Sequence, residues 1–284
     1  MELTLVTGAT GAQGGALARL LLAAGHPVRA LTRTPDSTAA RQLEAAGAEL
    51  AEGDFDNPSS LRTALRDVRS VFAVTTPFGT DPETETRQGI ALIDAADGVD
   101  HIVFTSASNA DRNTGIPHFD SKRRIEEHLM SKPQRWTILA PAAFIDDKFG
   151  DWTLSGLRQG ILGIPMPATR PLHLVAVRDI AETAALTLHN PDRFTRTRLD
   201  LAGEALTPTQ MADILTRAIG KPIHHHRPPL TVVERHSTDL AAMFRYFSEV
   251  GTDIDLPSLH AKLPEITWHT YAEIANTVPW QELL

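Results

Sequence analysis

The 284-residue sequence contains no cysteine. That absence excludes disulfides, thiolate zinc sites, iron–sulfur clusters and cysteine nucleophiles. Tyrosine is nearly as scarce, with only Tyr246 and Tyr271. No apolar run approaches the roughly 20 residues that a membrane-spanning helix needs, and no membrane partner is expected. A basic surface is also missing, since 27 Lys and Arg stand against 35 Asp and Glu, for a net charge of −8. The short knot Lys122-Arg123-Arg124 does not make the clustered basic face of a nucleic-acid binder. Met1-Glu2 runs straight into Leu3-Thr4-Leu5-Val6 with no basic stretch before it, so the expected location is the cytoplasm.

What remains is ordinary for a globular chain: 42% hydrophobic and 22% charged residues. Short β-type runs alternate with helical patterns. The runs are Leu3–Val6, Val28–Thr32, Glu49–Glu52, Ser70–Val74, His101–Thr105 and Trp136–Ala140. Between them, Leu17, Leu20 and Leu21 predict one helical face, and Asn57-Pro58 and Asp81-Pro82 each open a helix. Strands without a polar face in this rhythm predict an α/β fold with a doubly wound parallel sheet. The expected division is a Rossmann-type unit over residues 1–150. Residues 151–284 then form a smaller mixed α/β lobe on the sheet's carboxyl edge, not an independent domain. In that half, Asp179 reads as a helix cap and Thr207-Pro208-Thr209-Gln210 as a capping box. Residues 230–284 carry no legible role.

The strongest motif is Thr7-Gly8-Ala9-Thr10-Gly11-Ala12-Gln13-Gly14, between the first strand and the first helix. Gly8 suits a tight turn, Gly11 a close approach to a pyrophosphate, and Gly14 close helix–strand packing. The N–H groups of the helix start would face phosphates. The reading is a dinucleotide site. A site selective for NAD offers an acid about 20 residues further on, to hold the ribose 2′-hydroxyl. Arg33 occupies that place, 19 residues after Gly14. A guanidinium suits a 2′-phosphate, so NADP(H) is favoured over NAD.

Four segments in order, Thr7–Gly14, Gly53-Asp54-Phe55-Asp56, Thr75-Thr76-Pro77-Phe78 and His118-Phe119-Asp120-Ser121-Lys122, resemble NmrA-like proteins. These are atypical members of the short-chain dehydrogenase/reductase superfamily. The resemblance is firm to about Phe144 and looser beyond it. It implies that Asp54 and Phe55 lie by the adenine, and that Thr75, Thr76, Pro77 and Phe78 run along the cofactor's central stretch. It implies that Pro141, Ala142 and Phe144 line the nicotinamide side, with Phe78 and Phe144 also near substrate. The family often has arginine before that proline, where this chain has Ala140.

The superfamily's usual Tyr-x-x-x-Lys pair cannot be formed here. Tyr246 is followed four residues later by Val250, and Tyr271 by Ala275. The motif position reads His118 to Lys122, which on a helix share a face. Lys122 is the candidate for holding ribose hydroxyls, as the resemblance implies. His118 is the candidate proton or hydrogen-bond donor. Ser106 and Ser108 are candidate substrate contacts. The site without tyrosine suits hydride transfer to acceptors that need little acid help, such as quinones, enones or imine-like carbons. The resemblance equally implies a second possibility, because the family includes non-catalytic NADP(H)-binding redox sensors that act through a protein partner. His224-His225-His226 invites a metal reading, but neighbours on a strand point to opposite faces, so no metal is expected.

Overall fold

In the computed structural model the residues described are 2–76 and 81–284, with backbone alone for Lys148, Phe149, Asp151 and Trp152. The strands are β1 (Thr4–Val6), β2 (Val28–Thr32), β3 (Glu49–Glu52), β4 (Ser70–Val74), β5 (His101–Thr105), β6 (Arg135–Pro141), β7 (Ala143–Phe144), β8 (Ile161–Gly163), β9 (Leu172–Val175), β10 (Thr197–Leu201), β11 (Glu204–Leu206) and β12 (His224–His226). The helices begin with α1 (Ala12–Ala23), α2 (Thr38–Ala45), α3 (Pro58–Ala64), α4 (Pro82–Ala95), α5 (Pro117–Met130), α6 (Asp151–Arg158) and α7 (Val177–His189). They continue with α8 (Pro191–Phe194), α9 (Pro208–Ile219), α10 (Leu230–Glu234), α11 (Thr238–Glu249), α12 (Leu256–Lys262), α13 (Tyr271–Thr277) and α14 (Trp280–Leu283).

The chain divides into two compact units. The first comprises Met1–Asn113, Pro117–Ala140 and Ile180–Leu199. The second comprises Thr114–Ile116, Pro141–Asp179 and Asp200–Leu284. Residues 180–199 thus group with the first unit, although by sequence they read as part of the lobe.

The first unit is a doubly wound sheet of seven strands in the order β10-β6-β5-β4-β1-β2-β3. Six of these strands were legible, and β10 is the seventh. The pairs β1–β2, β1–β4, β2–β3, β4–β5 and β5–β6 are all parallel. Alternate residues Leu5, Val71, Ala73, Ile102, Phe104 and Ile138 pack in one cluster with Leu61 of α3, Leu92 and Ile93 of α4, and Ile125 and Leu129 of α5. The opposite alternation, with Phe72, Val103 and Leu139, is buried as well. Burial on both faces explains why these strands carry no polar stripe. Each fully buried side chain of the size of Phe72 contributes roughly 1.5–3 kcal/mol.

Helix starts follow local chemistry. Ser37, Asn57 and Asp81 cap α2, α3 and α4 through their side chains, and proline follows the cap in the latter two. In α1, Leu17 and Leu21 are buried, but Leu20 is 36% exposed. At about 100° per residue, Leu20 falls on the far side of Leu17 from the arc that Gly14, Ala18 and Leu21 bury.

The second unit holds a three-stranded sheet, β11-β9-β7, and a two-stranded one, β12-β8. β9 runs antiparallel to β11 and parallel to β7. The Thr207–Gln210 capping box forms at α9, which Gly220 ends with φ +79°. Asp179 is not a cap. Helix α7 begins two residues earlier, and the Val177 N–H donates to Asp146 Oδ2 at 2.9 Å. The Asp179 carboxylate instead accepts from the His269 N–H at 2.8 Å and lies 2.5 Å from His269 Nδ1. His224–His226 form β12, where the middle imidazole donates Nε2–H to the Ile164 carbonyl at 2.8 Å. Among the described residues, no group of three His, Asp or Glu could hold a metal ion, and no helix is long and apolar enough to cross a membrane.

Candidate functional site

The carboxyl ends of β1, β4 and β5 lie side by side in the first unit, where the strand order reverses between β1 and β4. Such switch points are where doubly wound sheets take their ligands. Gly8 stands there with φ +58°, a left-handed conformation that favours glycine. The Gly11 N–H closes the turn on the Gly8 carbonyl at 2.9 Å. A Cβ at Gly14 would lie 2.4 Å from both the Gly8 and Thr7 carbonyl oxygens, so no side chain fits. Gly11 caps α1 without a side-chain acceptor, which leaves the first-turn N–H groups at Ala12, Gln13 and Gly14 untied by any cap side chain. Thr10, Gly11 and Ala12 are exposed. This turn and helix start present an electropositive backbone surface suited to phosphate oxygens.

Two side chains stitch the turn to its neighbours. Thr7 Oγ1 accepts from the Val74 N–H at 2.7 Å and donates to the Val74 carbonyl at 3.1 Å. Gln13 Oε1 accepts from the Thr105 hydroxyl at 2.7 Å. Arg33, one residue beyond β2, is exposed. Its charge is among those that hold the Asp56 carboxyl below the usual range, behind the hydrogen bonds from Gln88 and Arg87. Asp54 Oδ1 accepts from the Asp56 N–H at 2.8 Å, a local turn after β3. Phe55 is half-buried against the core cluster.

Helix α5 supplies the polar centre. Lys122 Nζ donates to the Thr75 carbonyl at 2.7 Å and to Thr75 Oγ1 at 2.9 Å, and lies 2.9 Å from Glu85 Oε1. Glu85 is wholly buried. Its Oε1 also accepts from the Thr75 hydroxyl at 2.9 Å, and its Oε2 accepts from the Ser121 hydroxyl. Burial pulls the Lys122 ammonium's proton affinity down, and the Glu85 charge opposes that. His118, one turn earlier, is buried and meets the Phe119 ring edge-on. A second buried group lies one turn later. Glu126 accepts from the Ser106 hydroxyl and pairs with Arg198 Nε at 3.1 Å. Burial raises the Glu126 pKa, against the pull of Arg198.

The structure therefore brings the glycine turn, Gln13, Thr75 and Lys122 to neighbouring strand ends. Thr76 follows Thr75 and is exposed. Pro77 and Phe78 lie outside the described residues. Pro141, Ala142 and Phe144 belong to the second unit, where the Ala142 N–H donates to Leu201 and Phe144 pairs with Val175. Ser106 is buried, with its hydroxyl donated to Glu126; Ser108 is buried too. Neither tyrosine is on α5: Tyr246 is in α11, and Tyr271, in α13, is buried with its pKa raised by desolvation.

Sequence reasoning missed Glu85, Ser121, Glu126 and Arg198. For Glu85 a signal existed. It falls at the head of the stripe Glu85, Gly89, Leu92 and Ile93 that α4 buries, a charge on an apolar helical face.

The sequence model of the NmrA-like family matches residues 2–275. A (4-alkanoyl-5-oxo-2,5-dihydrofuran-3-yl)methyl phosphate reductase of Streptomyces griseus is 28% identical over 261 residues, covering 92% of this chain and 81% of the relative. An NAD(P)H azoreductase of Xenophilus azovorans is 29% identical, covering 78% of this chain and 75% of the relative. Among solved structures, NmrA, a negative transcriptional regulator in complex with NADP, superposes with a TM-score of 0.82. That pair is 18% identical and covers 99% of this chain and 97% of the other, a likeness of fold.

Proposed function

The chain belongs to the NmrA-like family, and from that premise we propose that it is an NADP(H)-dependent oxidoreductase, transferring hydride to a small activated acceptor such as a quinone, enone or imine-like carbon. The observation that carries this reading is the Gly8–Gly14 cradle, closed to any side chain at Gly14 and opened by a helix start without a side-chain cap. That surface fits a pyrophosphate. Ala12, Gln13 and Gly14 would hold it through backbone N–H groups, with Thr10 and Gly11 bringing the turn close to it. Arg33 would pair with a 2′-phosphate, and Asp54 and Phe55 would flank the adenine. Lys122 and Thr75 would meet the ribose on the nicotinamide side.

When bound, the reduced nicotinamide supplies the hydride. The protein's part is to orient and to hold protons. Lys122 keeps a cation at the end of β4 through Thr75 and Glu85. His118, on the same helical face, offers an imidazole to the acceptor. The chain lacks the tyrosine that would protonate a plain ketone, so acceptors whose reduced form is stabilised by delocalisation suit it best. The phosphate reductase and the NAD(P)H azoreductase among its relatives support the class.

A second reading has its own support. With its ammonium engaged by Thr75 and Glu85, the site is also consistent with a redox sensor that binds NADP(H) and signals through a protein partner. The test is loss of reduced-nicotinamide absorbance with NADPH and a panel of quinones, enones and imines. Turnover of at least one acceptor is expected. Tight NADPH binding with no turnover of any of them would replace the reductase by the sensor.

A further inference from the structure

Glu85 draws attention because a carboxylate with no solvent exposure survives only when its charge is matched and its oxygens are hydrogen-bonded. Both conditions are met by groups from two elements. Oε1 takes the Thr75 hydroxyl from the end of β4 and the Lys122 ammonium from α5, each at 2.9 Å. Oε2 takes the Ser121 hydroxyl, whose oxygen also lies 3.0 Å from the His118 carbonyl. The ammonium's three hydrogens then have three oxygens to face, Glu85 Oε1, Thr75 O and Thr75 Oγ1, of which a bound ribose hydroxyl would replace Thr75 Oγ1 as acceptor.

The packing of α4 on α5 enforces this. One turn beyond Glu85 comes Gly89, and one turn beyond Ser121 comes Ile125. A Cβ on Gly89 would sit 2.5 Å from Ile125 Cδ1, so the two helices approach as closely as a glycine allows. Among the described residues, one further charge bears on Lys122. Glu126, from its own helix, adds an attraction and is itself paired with Arg198. The Phe104 ring of β5 lies 5.4 Å from Nζ.

We propose that Glu85 is a positioning residue of this site: its carboxylate keeps the Lys122 ammonium charged and pinned against the end of β4, so that a bound dinucleotide meets an anchored ion pair instead of a mobile lysine. The inference rests on the dinucleotide-binding reading above. Glu85 touches neither cofactor nor substrate and acts through Lys122.

The experiment titrates Lys122 itself. The sequence has five lysines, few enough to follow by NMR of carbon-labelled lysine side chains in the full chain, with Lys122→Arg assigning the resonance. In Glu85→Gln, which keeps the shape and the bond to Ser121 but removes the charge, Lys122 titrates at lower pH than in the wild type. Glu85→Asp, with the charge retained but withdrawn, falls between. NADPH binding by Glu85→Gln weakens about fivefold across that titration, the difference between a charge-assisted and a neutral hydrogen bond. An unchanged Lys122 titration in folded Glu85→Gln overturns the proposal. Should that variant not fold, an unchanged titration in Glu85→Asp does so. If the wild type binds neither NADPH nor NADH, the oxidoreductase reading falls, while the lysine titration still decides the role of Glu85.

Discussion

Acid should unfold this protein partly through one histidine of the first unit. His101 opens β5 and is 2% exposed. Thr137 Oγ1 donates to the Phe194 carbonyl at 2.9 Å, so at 2.8 Å from His101 Nε2 it must act as acceptor, and Nε2 carries the proton. Nδ1 has no hydrogen-bond partner among the described residues. Protonating it would bury an unmatched charge, and burial lowers the pKa from 6.5 to about 4, with Arg135 adding to the effect. The unfolded chain therefore binds a proton below pH 6.5 that the folded chain refuses until about pH 4. The stability associated with neutral His101 is present above the unfolded pKa and lost as pH falls through that window. Integrating between the two values gives a loss of roughly 2.6 kcal/mol by pH 4.5. The perturbation is His101→Gln, whose amide keeps the donor to Thr137 but cannot ionise. Urea unfolding of both proteins at several pH values from 7.5 to 4.5 isolates the term, because every other titrating group is common to both. The stability gap between wild type and variant should narrow, or reverse, by about that amount across the range. Two stability curves running parallel from neutral to acid would refute the reasoning.

Three other outcomes follow from particular contacts. Gly14→Ala drives a methyl to 2.4 Å from two backbone carbonyls, so it should cost about 1–3 kcal/mol. It should also abolish the thermal stabilisation that NADPH confers; a melt with and without NADPH measures both. Arg33→Ala should lower NADPH affinity roughly tenfold to a hundredfold while leaving NADH affinity nearly unchanged, the loss of one charge-assisted contact. An unaltered affinity ratio, read by fluorescence titration, would remove Arg33 from the cofactor assignment. Asp146→Ala deletes the acceptor for the first N–H of α7 and should lower stability by about 0.5–2 kcal/mol, read as a lower urea midpoint.

The legible parts of the fold are those set by neighbours in sequence. β2, β3, β4 and β5 begin and end where their apolar runs do, and the caps at Asn57, Asp81 and Thr207 form as their local chemistry requires. The glycine turn was legible because its three glycines answer a local steric demand. Of the polar centre, Lys122 and His118 were legible on α5, and Thr75 through the resemblance. The lysine's partner Glu85 stands among Asp81, Glu83 and Thr84, where it resembles one more acid favouring a helix start. What makes it different is Ser121, 36 residues away. Glu126 and Arg198 are 72 residues apart, and Asp179 and His269 are 90 apart. No periodicity encodes such pairings. They are decided by which helix faces which, and the choice of Asp179 as a cap failed for that reason.

The placement along α5 of Ser121 and Lys122, which hold the Glu85 carboxylate of α4, and of Glu126 itself bears on how this chain can drift over generations. Ser121, Lys122, Ile125, Glu126 and Leu129 all lie on the inward side of that one helix. A residue inserted between Lys122 and Glu126 would turn everything after it by about 100°. It would keep the composition intact yet part Glu126 from Ser106 and Arg198. Relatives descended with this core are thus free to exchange exposed α5 residues such as Arg124 and Glu127, but gaps in an alignment should avoid the stretch from Ser121 to Leu129. Length, more than identity, is the inherited constraint there.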